Sequence, residues 1–288
     1  MNSDRLKNIS DNQCKSVAKK LIQMKILICV KQVPEITDIK INPETGTLIR
    51  EGVDSILNPF CEYAVEKALE LKEKNDNAET VAISMGPPQA KSVLMRCLEM
   101  GIDRAILLAD RKFAGADTWA TALTIARAIK AIEGNFDLIL VGKQAIDGDT
   151  AQVGPELSEI LGIPQIMYCT NLDLTSNKKK VRGTREIETG KETLEAKLPC
   201  LISVSMGPMI RRIPSLNEIL DARKKPFKII TSSDIDTDES EIGLKGSLTQ
   251  VIKVFPPQLK KQGIIIQDSE PADAAKKMIE FLRERNFV

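Results

Sequence analysis

Residues 136–155 read FDLILVGKQAIDGDTAQVGP. An apolar run ends at Gly142, and the chain passes at once into a loop holding Gln144, Asp147, Asp149 and Gln152, with glycines at 142, 148 and 154. A helical pattern follows from about Thr150. A short, wholly apolar run that feeds a helix through a polar loop is the pattern of a parallel strand buried on both faces. The loop itself is either an ordinary polar turn or a cradle for something charged and planar, and the rest of the chain has to decide.

The same texture recurs upstream. Lys25–Val30 (KILICV), Thr80–Ser84 (TVAIS), Ala105–Leu108 (AILL) and Leu138–Val141 (LILV) are short apolar runs bounded by turn residues. Helical patterns lie between them. One opens at Asn58-Pro59, with Asn58 the expected N-cap and proline at the first helical position. A second follows Gly86-Pro87 and ends at Gly101, and a third runs from near Asp117 to Gly134. Strand–helix alternation with right-handed crossovers predicts an α/β fold with a doubly wound, mostly parallel, Rossmann-like sheet. After Pro164 the runs IMYCTNLDL, KKVRGTREI and LPCLISVS predict strands pairing antiparallel, as an extension of that sheet. A basic helical segment, SLNEILDARKKP, precedes the acidic stretch TSSDIDTDESEIG, which reads as a solvated linker. The last helical pattern carries Ala275, Met278, Ile279 and Leu282 on one face and forms a C-terminal helical arm. The expected division is an extension over 1–23, a nucleotide-binding α/β domain over 24–228, and a linker plus arm over 229–288.

Composition narrows the chemistry. The 288 residues include 41 basic and 40 acidic side chains, so no global field favours nucleic acid or an anionic membrane. Histidine is absent, which removes Ser-His-Asp and Cys-His pairs and every histidine-containing zinc site. The six cysteines contain no CxxC pair and mostly lie in apolar runs, as buried thiols do in a reducing, cytoplasmic compartment. No stretch approaches the roughly 18 apolar residues of a membrane span. Residues 1–23 lack the apolar core of a secretory signal.

In an open parallel sheet, ligands collect where strands end and helices begin. Four such places carry unusual residues: Cys29-Val30-Lys31, Asn58-Pro59-Phe60-Cys61, Ser84-Met85-Gly86-Pro87, and the 142–154 loop. The amides from Thr150 onward are candidates to cradle a phosphate at a helix start. Neither G-x-G-x-x-G nor a Walker loop is present, and on spacing alone Asp147 and Asp149 are equally plain turn and cap residues. The residues by themselves reach an α/β protein with a nucleotide-type cleft.

The ordered combination MKILICVKQVP, NPFCEYAVEKAL, ISMGP, MGIDRAILL and VGKQAIDGDTAQVGP, from Met24 to about Lys225, resembles the β subunits of electron transfer flavoproteins. ETLEAKLPCLISV agrees with a later signature of that family, although Thr189 departs from it. The resemblance implies a heterodimer with an FAD-carrying α subunit and an adenine-nucleotide-binding β subunit; the C-terminal arm has its own sheet or a partner subunit to pack on, and contact with α is the expectation. By position it implies contacts from Cys29, Asn58, Pro59, Phe60, Cys61, Met85, Gly142, Lys143, Gln144, Ala145, Ile146, Asp147, Gly148, Asp149, Thr150, Ala151, Gln152 and Val153. It assigns no catalytic side chain and no metal.

Conventional members resemble GKQAIDDDCNQTG in the loop, hold AMP, and shuttle single electrons from dehydrogenases to a membrane quinone reductase. Here Gly148 and the Thr-Ala-Gln-Val run replace an acid and Cys-Asn-Gln-Thr. This version resembles the electron-bifurcating branch, which implies FAD in place of AMP, hydride from NADH, an acyl-CoA-dehydrogenase-type partner, and a low-potential acceptor such as ferredoxin or flavodoxin. The segment RRIPSLNEILDARKK, within 206–226, resembles the family's recognition loop, with Leu216 as anchor and Ile219 and Leu220 beside it. A reading from another class, a nucleotide-binding regulatory module of similar fold, needs neither flavin partner nor docking loop.

Overall fold

The computed structural model describes residues 24–35, 55–75, 78–134, 136–208, 212–252, 263, 265–267 and 270–288. The expected 1–23 extension and Cys14 lie outside them. The chain divides into a main unit, residues 1–39 and 50–252, and a small one, residues 40–49 and 253–288.

The main unit is built on a nine-stranded sheet. Within it β1 (Met24–Cys29) is flanked by β4 (Ala78–Met85) and β6 (Leu138–Gly142). Beyond β4 come β5 (Arg104–Leu108) and β11 (Phe227–Ile230); beyond β6 come β10 (Cys200–Val204) and β7 (Gln165–Leu174). All of these pair in parallel. Strands β8 (Lys180–Ile187) and β9 (Gly190–Lys197) then extend the sheet antiparallel. A separate antiparallel pair joins β2 (Gln32–Pro34) and β3 (Ser55–Leu57).

Period-two alternation on β1 shows why the sheet is covered on both faces. Ile26 and Ile28 pack with Ala64, Val65 and Ala68 of α1 (Pro59–Glu73) and Leu94 of α2 (Lys91–Met100). Leu27 and Cys29 point the other way, into a cluster with Ile125 and Ala126 of α3 (Thr118–Ala128) and Leu157 of α4 (Val153–Leu161). Two expectations are corrected. IMYCTNLDL and KKVRGTREI do pair antiparallel as β7 and β8, but LPCLISVS forms β10, which runs parallel between β6 and β7, and the second antiparallel partner of β8 is β9, from KETLEAK. The α4 helix begins at Val153, not Thr150.

Residues 231–252 carry their acids largely on the surface, while Ile235 and Ile242 enter the core on the α3 side. Arg127 of α3 tethers this stretch through Thr237 and Glu241, at 2.7 Å each. In the small unit, α6 (Pro271–Glu284) has acidic Asp273 in its first turn and Arg283 in its last, as the helix dipole favours. Met278 and Ile279 on it are about half exposed. No helix among the described residues is long and apolar enough to cross a membrane.

At the edge of the sheet where β1 and β5 begin, α3 continues as a π-helical turn to Glu133, whose side chain is only 3% exposed. Arg104 grips it with both terminal guanidinium nitrogens and Lys25 reaches it at 3.1 Å. Burial alone would raise the Glu133 carboxyl, but Arg104 and Lys25 outweigh it and hold it below the ordinary carboxylate range. The stability gained is complete above the unfolded value of about 4.3 and drains away as pH falls through the lowered folded value. Glu133→Gln should therefore cost about 2 kcal/mol at pH 7, less than a fully buried pair because both cations are partly exposed. Thermal melts should show the deficit shrinking on acidification toward pH 3, and a pH-independent deficit would contradict this account.

Candidate functional site

The chain order along the sheet reverses at β1, with β4 and β5 laid down on one side and β6 on the other. Strand C-termini on either side of such a reversal leave a crevice between them. Here it is a cleft of about 1060 Å³ bounded by Cys29 to Lys31, Met85 to Pro88, Ala109 to Thr118, and most of Val141 to Gly154.

The β6 loop owes its shape to contacts with α1. A Cβ at Gly142 would lie 2.7 Å from the Phe60 carbonyl carbon and 2.8 Å from the Cys61 nitrogen. Glycine is thus required by the close approach of strand to helix. Asn58, only 1% exposed, was expected to cap α1 but makes no side-chain cap bond. Instead its amide nitrogen donates to the Gln144 carbonyl at 2.8 Å and its amide oxygen accepts from the Ile146 N–H at 3.2 Å. Its own backbone N–H donates to the Lys31 carbonyl at 3.0 Å. Lys31 reaches both carboxylate oxygens of Asp147, at 2.8 and 2.9 Å. The Gln144 side chain donates to Asp149.

Past that brace, Asp149 and Ala151 both have left-handed backbones, φ 55° and 56°. Aspartate tolerates this region, but alanine does so at a cost of about 1 kcal/mol, the kind of strain that clusters at functional sites. A Cβ on Gly148 would meet nothing within 4 Å, and its φ is not positive. Neither packing nor backbone conformation requires a glycine there.

Of the residues singled out from sequence, Cys29, Asn58, Cys61, Met85, Gly142 to Ala145, Gly148 and Thr150 to Val153 line the cleft. Pro59, Phe60, Ile146, Asp147 and Asp149 do not. Pro59 and Phe60 form the first turn of α1, and the other three serve the brace just described. Because α4 starts at Val153 and Pro155 has no N–H, the amides free at its end belong to Gln152, Val153 and Gly154, not to a run from Thr150.

Sequence reasoning missed the wall from Ala109 to Thr118. It follows β5, another parallel strand ending at the same edge, so the rule applied to the other strands identifies it too. Asp117 caps α3 through Ala120 N–H at 3.0 Å, and its second oxygen accepts from the Thr249 N–H and hydroxyl at 2.9 and 3.0 Å. The Thr118 hydroxyl donates to Glu156 at 3.0 Å. Burial, with Asp117 nearby, raises the Glu156 carboxyl. Burial also pushes the Cys29 thiol up to about 12, and raises Cys61. Both thiols stay neutral at physiological pH and are not nucleophiles.

The docking candidates lie elsewhere, on α5 (Leu216–Ala222) and the residues before it. Leu216 is 71% exposed and Leu220 is also exposed, whereas Ile219 is half-buried. Ile213, which the sequence reading did not include, is 87% exposed.

Comparison with known proteins agrees with this architecture. The electron transfer flavoprotein domain matches residues 45–235. The electron transfer flavoprotein subunit beta of Clostridium acetobutylicum is 45% identical over 265 residues, covering 92% of this chain and 100% of that one. Subunit CarD of the caffeyl-CoA reductase-Etf complex of Acetobacterium woodii is 42% identical, with the same coverage. Protein FixA of Azotobacter vinelandii is 41% identical over 88% of this chain and 92% of its own length. A domain match over most of the main unit, and relatives of this similarity along nearly the whole chain, establish that it belongs to the electron transfer flavoprotein family, among its beta subunits.

Proposed function

We propose that this chain pairs with an electron transfer flavoprotein α subunit, holds FAD in its cleft, and serves electron bifurcation with NADH as hydride donor. The observation that carries the reading is the extent of the cleft. Its volume of about 1060 Å³ runs from the Gly142–Gly154 loop to the Ala109–Thr118 wall. That is the upper end of the roughly 300–1,000 Å³ of small-ligand sites, and it suits a dinucleotide better than a mononucleotide. The open space at Gly148 supports the same reading.

The Gln152 to Gly154 amides, with Arg111 on the facing wall, would hold the pyrophosphate, and Cys29, Met85 and Val141 offer apolar surface to the rings. A bound flavin would supply the redox chemistry, accepting hydride and passing electrons on singly. Asn58 and the Lys31–Asp147 pair fix the loop that orients it. The electrons would go to an acyl-CoA-dehydrogenase-type partner docking on Leu216, Ile219 and Leu220, and to a low-potential ferredoxin or flavodoxin. CarD's place in a caffeyl-CoA reductase complex supports a partner of this class. Buried, unpaired thiols suit a cytoplasmic setting.

Counting nucleotides released on denaturing the co-expressed heterodimer tests the reading directly. FAD on both subunits without AMP is the expected result, and FAD on α with AMP on this chain would refute it. Gly148→Asp should leave the nucleotide-free melting temperature nearly unchanged, since a Cβ there meets no neighbour within 4 Å, while FAD bound to this chain is lost. Full FAD retention would show that the space at 148 is irrelevant to the ligand. We also assign the C-terminal arm to the α subunit. A chain ending before Asp268 should no longer co-purify with α in equal amounts, and stoichiometric recovery would count against that role.

A further inference from the structure

The α1 helix buries a carboxylate that its own helix does not neutralise. The Glu66 side chain is only 3% exposed, and its charge is met from a distant part of the chain by Arg212. The backbone N–H of Arg212 donates to one Glu66 oxygen at 3.1 Å and its Nε donates to the other at 2.9 Å. A guanidinium terminal nitrogen extends to Glu73, two helical turns further along α1, at 3.0 Å. Both main chain and side chain of Arg212 are thereby fixed, and a charge-assisted fork of this kind sets orientation as well as position.

Directly after this grip comes the apolar stripe of Ile213, Leu216 and Leu220. Ser215 and Glu218 close a reciprocal capping box that starts α5 between them. At the far end Lys225 donates to the Leu98 and Ile102 carbonyls at 2.7 and 2.8 Å, where α2 terminates. The segment is fastened at both ends, to α1 by Arg212 and to α2 by Lys225, and its exposed apolar side chains lie between the fastenings.

We propose that Arg212 is a positioning residue for partner docking: by gripping Glu66 and Glu73 it holds Ile213, Leu216 and Leu220 ready-formed for the flavoenzyme that exchanges electrons with this protein. The inference rests on the docking role proposed above. An apolar anchor gains affinity when its backbone is already in the bound conformation, because less ordering remains to be done on contact. Arg212 need not touch the partner for this to hold.

The test uses the intact heterodimer with α, and as probe a purified acyl-CoA-dehydrogenase-type flavoenzyme from the same organism, reduced with its acyl-CoA substrate. The rate at which the heterodimer's flavin takes up those electrons is measured against probe concentration. Arg212→Met leaves Glu66 buried and unpaired and risks misfolding, so the double variant Glu66→Gln/Arg212→Met, which removes both charges, is measured beside it. Leu216→Ala serves as the control for docking itself.

The double variant, folded and with its nucleotide content intact, should show KM for the probe raised about tenfold with kcat within about twofold of the parent. Arg212→Lys, which keeps the charge but not the fork, should recover part of the loss. Amide hydrogen exchange across 213–222 should quicken in the double variant, a change independent of any electron transfer. If Leu216→Ala raises KM and the folded double variant does not, the positioning role is wrong and docking stands. If Leu216→Ala leaves KM unchanged, the docking reading fails and this inference fails with it.

Discussion

The cleft depends on a backbone-to-backbone contact, the seat of Gly142 on the first turn of α1. With a side chain at that position 2.7 Å from the Phe60 carbonyl carbon, helix and strand could not approach as they do. Their nearness puts Asn58 within reach of both the Gln144 carbonyl and the Ile146 N–H. It also brings Lys31 against Asp147, at 2.8 Å. Each such hydrogen bond is worth only about 1 kcal/mol net. In series they convert a polar loop, which would otherwise be mobile, into a wall whose far side is strained at Asp149 and Ala151.

The same bonds commit several ionisable groups around the cleft to structure. Lys31 and Asp147 neutralise each other, Asp117 is committed to the start of α3 and to Thr249, and the cleft thiols are kept neutral by burial. These groups in and beside the cleft are occupied with keeping its walls in place. What remains for a ligand is shape, apolar surface, the amides at the start of α4 and the Arg111 and Lys143 cations on the walls.

Much of this was legible in the sequence, for reasons that differ by element. The central strands were plain because KILICV, TVAIS, AILL and LILV are buried on both faces and so read as unbroken apolar runs. The direction of β10 was not legible, because CLISV is equally compatible with either pairing and the partner is fixed only by long-range contacts. Asn58 misled for an instructive reason. It has the right residue type and the right place for an N-cap, but the nearby Gln144 and Ile146 backbone groups offer it partners that a local reading cannot see. The Ala109–Thr118 wall carried a readable signal, the end of a parallel strand, while the Arg212–Glu66 pair joins residues far apart in the chain and left none.

Helix α1 begins against the β6 loop and carries Glu66 and Glu73 along its length. At about 1.5 Å of rise per residue, its 15 residues make a strut roughly 22 Å long. The cleft is seated on one end and the segment bearing Leu216 is bolted farther down. The distance between the cleft and the exposed apolar stripe is therefore set by the pitch of one helix and not by the give of loops. Insertions or deletions within α1 are consequently not tolerated. One residue more or less ahead of Glu66 would rotate it by about 100° away from its arginine and shift the spacing between the cleft and the Leu216 segment.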